Sequence, residues 1–474
     1  MIIFLLSPLT VFILSLGCYY LTLSPTIAGG DSPEFVAVAH NLGIAHPPGY
    51  PLYTLLGHIW ISLFHDAAWA MNFLSAICGA LASTVLYFSL TIQIKNKLAS
   101  GLLALLFSFA PLIWRFSVVT EVFMLNALLV ALALWFSTNE GHWKIKIFGK
   151  PEIFSYILFG TICGLAISHH HTSVFFLFPI GVWHLWQAIK AKKVNILYGV
   201  ASGALVCLLY LHLWIAGNRE DIPKILWGLP KSLEDVLFLV LRKEYGTFNL
   251  AQGGGISIYE GILKSIYFFK SLAESVLYIG LIPFTWGIYC AMKKGVIERT
   301  WTVALFVYVL TFSLLSNLPE NSLTRFVQNR FWIQALVVSF WLVGLGLKSI
   351  IARWPKITSV SLLVCVIIQI TLHYTTMDHS KNIVTREYVK TMLDTVQPNS
   401  IILVNGDSAI HGLLYMQIVE NYRTDVHVLP HYFLGKDWFN QMLRKYHPQI
   451  RFPPFQQQPD GSYSFTIEDF VREN

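Results

Sequence analysis

Long apolar segments recur along most of this chain, and they constrain its fold more than any other feature. A helix needs about 20 apolar residues to cross the hydrocarbon core of a bilayer. Eleven runs approach that length: 3–23, 67–92, 98–114, 122–137, 153–168, 172–190, 194–215, 272–291, 300–316, 331–350 and 357–375. With 55% hydrophobic and 12% charged residues, the composition excludes a soluble globular domain. The sequence therefore predicts an α-helical polytopic membrane protein with about eleven transmembrane helices.

Basic residues fall in alternate connections between these runs, which predicts the orientation of the chain. They are Lys95, Lys97, Lys144, Lys146, Lys150, Lys190, Lys192, Lys193, Lys293, Lys294, Arg299, Lys348, Arg353 and Lys356. Short loops rich in Lys and Arg stay cytoplasmic. The first run lacks a basic leader and a cleavage site, so we interpret it as an anchor with a cytoplasmic N-terminus. The net charge of +7 is explained by these loops and indicates no nucleic-acid partner.

Two domains are expected. Residues 1–375 form a multi-span domain, and its first exported loop covers about residues 24–66. Residues 376–474 contain no spanning segment. There, 401–404 is predicted as a buried strand, 405–408 as a turn with a helix cap, 409–422 as a helix and 426–429 as a second strand. This βαβ-like pattern predicts a small extracytoplasmic α/β domain that docks or binds an acceptor.

The first exported loop carries the most informative motif. Only six acidic residues occur in the first 200 positions, and Asp31 and Glu34 share one helical turn. Ser32 is expected to cap a helix that begins at Pro33. The run 47–51 cannot be helical because of its prolines, so His46 and Tyr50 are expected on an ordered loop. The two acids then either complement the helix dipole only, or serve a functional site.

Further polar residues fall on the same predicted face. Glu121 stands where a span begins, which is costly unless it meets a partner or a wet cavity, and Asn126 follows a little over one turn later. Arg325 and Arg330 lie in the last exported loop. Arg330 is either an interfacial anchor or a guanidinium that binds phosphate.

Three consecutive histidines invite comparison with metal sites. Neighbouring residues on a helix point about 100° apart, so His169, His170 and His171 cannot all bind one ion. A hydrogen-bonding or substrate-contacting role is favoured over metal binding. The six cysteines all fall within predicted spans and indicate neither a disulfide framework nor a zinc site.

The long exported segment 216–271 mixes charged and apolar residues, which suggests amphipathic helices on the membrane surface. Its run 252–255 is a flexible break, too short to be a phosphate-binding loop.

These groups together suggest chemistry on a lipid phosphate. The lipid tail can lie between spans while the head group meets the arginines. A carboxylate can accept the proton of an attacking hydroxyl, and arginine can stabilise the departing phosphate. The reaction class is then group transfer from a lipid phosphate to a hydroxyl, without ATP.

Several motifs carry a resemblance to a known family. Gly30–Glu34, Ala45–Leu52, Glu121–Asn126, Asn405–Ser408 and Arg423–Val426 resemble the transmembrane protein O-mannosyltransferases and their bacterial relatives. The match covers most of the chain. The tetratricopeptide-like repeats of the animal member are not found in it.

This resemblance implies a GT-C glycosyltransferase that takes mannose from a polyprenyl- or dolichyl-phosphate donor. It implies an exported protein as acceptor, membrane lipid as surroundings, and no metal or other cofactor. Asp31 corresponds to the usual catalytic carboxylate, and Arg330 followed by Phe331 to the donor-phosphate site. Glu34, His46, Tyr50, Glu121, Asn126, His169, His170 and Arg325 are expected to bind substrate. Relatives often have proline where this chain has Gln334.

The membrane is expected to be the bacterial inner membrane with a periplasmic active site, or the endoplasmic reticulum with a lumenal one in a eukaryote. Two alternatives remain open: transfer to a lipid or glycan acceptor within the same superfamily, and a transporter or flippase of lipid-linked sugars. A transporter places charges near mid-bilayer, whereas the polar groups here concentrate on one face.

Overall fold

The computed structural model describes residues 6–139, 151–250, 257–319, 321–434, 436–453, 456–457, 463–464 and 467–474. The basic loop with Lys144, Lys146 and Lys150 and the run 252–255 lie outside the described residues. The chain is mainly helical, and its helices are α1 Pro8–Leu21, α2 Ser32–Asn41, α3 Pro51–Ile61, α4 Ala67–Ile94, α5 Lys97–Ser108, α6 Pro111–Ser117, α7 Phe123–Thr138, α8 Pro151–His169, α9 Val174–Lys190, α10 Ile196–Cys207, α11 Leu211–Asn218, α12 Leu233–Val240, α13 Ile258–Ser275, α14 Leu281–Lys294, α15 Val296–Leu315, α16 Ser322–Asn329, α17 Ile333–Arg353, α18 Pro355–Met377, α19 Val384–Asp394, α20 Asp407–Ile418, α21 Asp437–Tyr446 and α22 Ile467–Glu473.

Four short strands accompany them: β1 Ile401–Val404, β2 His427–Pro430, β3 Gln456–Gln457 and β4 Tyr463–Ser464. β1 pairs in parallel with β2, in the register Ile401 to His427, and β3 pairs antiparallel with β4. The predicted order of strand, turn, helix and strand is confirmed over β1, α20 and β2. Parallel neighbours require a crossover, and α20 supplies it.

Membrane-spanning helices confirm a multi-pass membrane protein, but not the count of eleven. Within the described residues, six helical segments are long and apolar enough to cross a bilayer: Ala67–Ile94, His171–Lys190, Ile196–Asn218, Val296–Leu315, Thr324–Arg353 and Pro355–Met377. The bent pair α5 and α6 makes a seventh if it counts as one span. α1, α7 and α8 are apolar but shorter, with at most 17 residues in the part described.

The predicted span 272–291 is wrong as a single helix. α13 ends at Ser275 and α14 begins at Leu281. Between them, Leu277 and Tyr278 have φ of 52° and 59°. Left-handed backbone cannot continue an α-helix, so the apolar run breaks although its composition is continuous.

By its internal packing the chain divides into two units. The first unit comprises Met1–Ser24, Asn72–Leu209 and Arg242–Lys381. Its helices pack α8 on α10, α14 on α17 and α7 on α17. The close approach of α14 and α17 requires glycine, because a Cβ on Gly287 would lie 1.9 Å from the carbonyl oxygen of Leu342. Small residues at such crossings are typical of membrane helices.

The second unit comprises Pro25–Met71, Tyr210–Leu241 and Asn382–Asn474. In it α2 packs against α3 and α20, and α19 packs against α20. The link between α2 and α3 forms a bridge from Ile44 to Leu226. The segment Pro25–Met71 and the α/β segment therefore belong to the same unit, although they lie far apart in sequence.

Candidate functional site

Among the residues of the second unit whose burial the structure describes, Glu34 is the most enclosed carboxylate. It lies in the first turn of α2 and is 1% exposed. Its Oε1 accepts the backbone N–H of His46 at 2.7 Å, and its Oε2 lies 2.6 Å from Nδ1 of the same residue. Burial works to raise the pKa of Glu34, but the positive charges of His46 and His411 and the hydrogen bond from His46 outweigh it and hold the pKa below its ordinary value.

Aromatic contacts fix the His46 ring on its loop. Nε2 of His46 lies 3.3 Å from the Tyr50 hydroxyl, and the ring packs edge-on against Tyr50. Phe35 packs edge-on against Tyr50, with centroids 5.3 Å apart. The Trp227 ring also packs edge-on against the imidazole, with centroids 6.2 Å apart. The loop is ordered and non-helical between α2 and α3, as its prolines predict.

Asp31 stands at the N-cap of α2 and is half-buried. The expectation that Ser32 caps this helix is wrong: Ser32 is its first residue, and its hydroxyl accepts the backbone N–H of Ala28 at 3.2 Å. The turn before Asp31 is tied to α20, because the Gly30 N–H donates to the Ser408 hydroxyl at 3.0 Å.

Two residues near Asp31 were not predicted as site residues. Asp407 begins α20, and its carboxyl interacts electrostatically with Asp31, Glu34, His46 and His411. His411, one turn later, is buried, and its Nδ1 has no hydrogen-bond partner within the part of the chain that the structure describes. We call Asp31, Glu34, His46, Asp407 and His411 the acid cluster.

The surroundings of Asp407 disfavour the charged form of its carboxyl. Although the residue is exposed at its surface, crowding by protein atoms withdraws its carboxyl from water, and this raises the pKa of Asp407. The charge of His411 opposes this effect, while the negative charges of Asp31 and Glu34 reinforce it. Solvent reaches the residue, so the like charges of Asp31 and Glu34, and not burial alone, disfavour the charged form of Asp407. A strand-turn-helix motif with an acid at the helix start was the only signal in the sequence for this position.

Arg330 and Glu121 form an ion pair in the first unit. Nη1 of Arg330 lies 3.2 Å from Oε1 of Glu121, and their side chains are 15% and 5% exposed. The guanidinium lies over the Phe123 ring at 5.3 Å and beside Phe331 at 5.8 Å. An arginine this enclosed is not a lipid anchor that reaches toward water. Its pairing also explains how Glu121 is tolerated at the start of a span.

A separate chain of hydrogen bonds lies in the same unit. Asn126 Nδ2 donates to Gln334 Oε1 at 2.8 Å, and Gln334 Nε2 donates to the Thr172 hydroxyl at 2.8 Å. That hydroxyl lies 2.8 Å from Nδ1 of His170. Gln334, which departs from the proline of the family pattern, is therefore the central link between three helical segments.

The remaining candidate residues lie outside this chain of hydrogen bonds. His169 Nε2 lies 2.7 Å from the Val122 carbonyl, which requires it to donate and gives His169 a structural contact. The Arg325 guanidinium lies over the Tyr267 ring at 4.5 Å. Among the described residues, no three His, Cys, Asp or Glu side chains are grouped to hold a metal ion. That the reaction needs no metal or other cofactor stays a prediction.

The structure thus gathers the candidates in two places. Asp31, Glu34, His46 and Tyr50 lie together in the second unit. Glu121, Asn126, His170 and Arg330 lie in the first. Short polar contacts join Glu34, His46 and Tyr50 in the second unit. In the first unit they join Glu121 to Arg330, and Asn126 through Gln334 and Thr172 to His170.

Two family models match the chain. Residues 31–195 match the protein O-mannosyl-transferase TMEM260 N-terminal domain, and residues 385–469 match TMEM260-associated domain 2. The protein O-mannosyl-transferase tmem260 of Dictyostelium discoideum is 29% identical over 96% of this chain and 61% of its own length. The TMEM260 protein of Mus musculus is 29% identical over 96% of this chain and 68% of its own length. The chain therefore spans about three-fifths to two-thirds of these relatives.

Solved structures share the fold at low sequence identity. ArnT from Cupriavidus metallidurans, bound to undecaprenyl phosphate, superposes with a TM-score of 0.59 at 11% identity, covering 93% of this chain and 88% of ArnT. The oligosaccharyltransferase AglB of Archaeoglobus fulgidus, with an inhibitory peptide and a dolichol-phosphate, gives 0.53 at 13%, covering 98% and 74%. These likenesses show that the chain shares its fold with ArnT and AglB, in agreement with the helical membrane fold expected from the sequence.

Proposed function

We propose that this chain, which has the GT-C fold and matches two TMEM260-family domains, is a protein O-mannosyltransferase. It transfers mannose from a polyprenyl- or dolichyl-phosphate donor to a Ser or Thr hydroxyl of an exported protein. The relatives that bear this name, and the lipid phosphates and peptide of the solved neighbours, support the proposal. The observation that carries it is the acid cluster. The match to the TMEM260 N-terminal domain begins at Asp31, which belongs to this cluster.

Asp31 is the better candidate for the general base. Glu34 is 1% exposed and both of its oxygens are engaged by His46, so a substrate hydroxyl cannot approach it without breaking that arrangement. Asp31 is half-buried, which leaves part of it accessible to a substrate. Glu34 and His46 then position the loop that carries Asp31.

The proposed step is a direct displacement. Asp31 takes the proton of the acceptor hydroxyl as its oxygen attacks the anomeric carbon. The bond between that carbon and the phosphate oxygen breaks, and the lipid phosphate leaves with the electron pair. Attack from the opposite side inverts the anomeric configuration. The activated bond is already present in the donor, so no nucleotide is required.

Arg330 is assigned to the donor phosphate. A guanidinium offers five N–H donors in a planar fork, so it can bind phosphate oxygen while it stays paired with Glu121. Its enclosed setting strengthens the attraction to a developing negative charge. Asn126, Gln334 and His170 hold the surrounding segments in place.

The membrane and orientation also belong to the proposal. Basic residues in alternate loops favour a cytoplasmic N-terminus with the acid cluster on the exported side. That side is the periplasm for a bacterial inner membrane and the lumen for the endoplasmic reticulum.

The test is sugar transfer by the detergent-purified full chain, given labelled polyprenyl-phosphate mannose and a mixed periplasmic protein fraction. We expect label on Ser or Thr, and Asp31→Asn should lower the rate on the order of 10²–10⁴-fold. Asp66→Asn is the matched control: Asp66 is an exposed acid of the same loop whose side chain accepts the Trp69 N–H, and Asn serves equally as a cap.

The outcomes separate the alternatives. Equal transfer by Asp31→Asn and wild type would remove Asp31 from the mechanism. Label found only in lipid or glycan would assign a different acceptor class. Binding of the donor without release of free lipid phosphate would favour a transporter.

A further inference from the structure

The second unit contains a cleft of about 320 Å³ that the acid cluster does not account for. Its walls come from Val428 and Pro430 of β2, Leu414 and Ile418 of α20, and Leu443 of α21. Ligand pockets in proteins range over roughly 300–1,000 Å³ and are mostly apolar with a few polar groups. The cleft has the size and the lining of a binding site.

This cleft adjoins the acid cluster. A smaller cavity of about 30 Å³ is lined by Glu34 and His411. The two spaces share five lining residues, namely Lys224, Leu414, Pro430, Phe439 and Met442. A ligand in the cleft can therefore have one end beside Glu34 and His411.

The cleft follows the edge of a strand. Val426, just before β2, and His427 and Val428 within it line the cleft in succession. Successive side chains of a strand point to opposite faces, so a space that contacts consecutive residues runs along the strand's edge. Within the described part of the chain, β2 pairs only with β1. An extended polypeptide can bind to such an edge through main-chain hydrogen bonds.

Few groups that can carry a charge line the cleft. Lys224 is exposed and makes no ion pair among the residues that the structure describes. Nδ1 of His427 lies 2.8 Å from Nδ1 of His447, and burial, with the charges of His427 and Lys224, lowers the pKa of His447 to about 4. Burial also lowers the pKa of His427, so both imidazoles favour their neutral form and Lys224 supplies the positive charge of the cleft. The Tyr446 hydroxyl is buried with no described partner and offers one further polar contact.

We infer that this cleft binds an extended segment of the acceptor polypeptide, with apolar side chains against the cleft walls and an acidic side chain on Lys224. The segment adds along the edge of β2 and directs a neighbouring hydroxyl toward the acid cluster. The inference rests on the proposed function, because it assumes that the acceptor is a polypeptide. A lipid acceptor would not need a strand edge, and neither peptide of the test below would then bind.

The test measures binding without the sugar donor. Two short fluorescein-labelled peptides of alternating Val and Thr, one with a central Glu and one with a central Lys, are titrated with the detergent-purified full chain. Fluorescence anisotropy should show tighter binding of the Glu peptide, by about twofold to fivefold. Lys224→Glu should reverse this preference. Lys231→Glu, at another exposed lysine of the same unit, should leave it unchanged.

A second variant tests the location. Gln449 is exposed and lines the cleft, so Gln449→Trp should block the cleft and weaken both peptides without repacking the core. Failure of both peptides to bind, or an unchanged preference in Lys224→Glu, would overturn the inference even if mannose transfer is observed. Peptide binding with this charge preference but no transfer would uphold the cleft and reject the proposed function.

Discussion

Glu34 holds His46 by two contacts at once: Oε2 lies 2.6 Å from the ring Nδ1 and Oε1 accepts the backbone N–H at 2.7 Å. Since a carboxylate only accepts hydrogen bonds, Nδ1 must carry a proton. Nε2 is then the ring atom that lies 3.3 Å from the Tyr50 hydroxyl. One acidic side chain thus determines both the orientation and the proton arrangement of this histidine.

Glu34→Gln should disturb that arrangement while keeping the side chain's shape. The amide oxygen can still accept the backbone N–H, but the amide nitrogen then faces Nδ1 and favours the other tautomer of His46. We expect mannose transfer to fall about tenfold to a hundredfold, as is typical when a partner that orients a histidine is lost. Glu420→Gln, which removes the charge of one of the two carboxylates paired with Arg386, is the control and should retain transfer.

The same variant carries a pH signature. The pKa of Glu34 lies below its ordinary value of 4.5, so the stability it confers is fully present above 4.5 and is lost as the pH falls through the lower folded pKa. Wild type should lose thermal stability as the pH falls below 4.5, and Glu34→Gln should lose less. Identical acid profiles for both proteins would contradict the charged pair.

Replacement by asparagine should shift the thermal midpoint in opposite directions at Asp407 and Asp425. The raised pKa of Asp407 means that its charged form is disfavoured in the fold, so its contribution to stability is fully present below the unfolded pKa and is lost as the pH rises through the higher folded pKa. Asp407→Asn should therefore raise the thermal midpoint slightly at pH 7, while mannose transfer falls. A group kept at a cost to stability is a signature of a functional site.

Asp425 provides the comparison. It binds Arg423 through two contacts, of 2.9 Å and 3.0 Å, and this pairing lowers the pKa of Asp425 to about 2. Asp425→Asn should lower the thermal midpoint at pH 7 and leave the transfer rate of the folded protein unchanged. If Asp407→Asn instead destabilised the protein without affecting transfer, Asp407 would be a structural residue.

Local patterns predicted the α/β segment well. The apolar strand, the Gly406 turn and the helical spacing after it are all contained within 30 consecutive residues, and β1, α20 and β2 follow them closely. The helix after Asp31 was also predicted, since Pro33 favours a first turn. In each case neighbouring residues determine the element.

Long-range contacts were not predictable in this way. Asp407 and His411 join Asp31 and Glu34 only because α20 packs on α2, and no local pattern records that contact. The break between α13 and α14 was missed because Leu277 and Tyr278 adopt left-handed backbone within a continuous apolar run. Hydropathy measures composition and does not report backbone conformation.

Arg330→Ala should remove donor binding and also destabilise the protein. It leaves Glu121, 5% exposed, as a buried charge without its arginine, at a cost of roughly 3–5 kcal/mol. The double variant Arg330→Ala with Glu121→Gln should recover most of the thermal stability but not donor use. Measuring the KM for the lipid-phosphate sugar in the double variant separates the two effects. A normal KM there would return Arg330 to a purely structural role.

Gln334 and Gln369 offer a matched comparison of buried amides in neighbouring spans. Gln334 is 2% exposed and bonded to both Asn126 and Thr172, so Gln334→Leu leaves their polar groups unsatisfied, at about 1–3 kcal/mol for each. Gln369 is 0% exposed, and neither end of its amide has a partner among the described residues. Gln369→Leu should therefore be neutral or raise the thermal midpoint, whereas Gln334→Leu should lower it and weaken donor use. Equal effects of the two substitutions on the midpoint, measured in the same detergent, would show that the chain from Asn126 to His170 contributes nothing to stability.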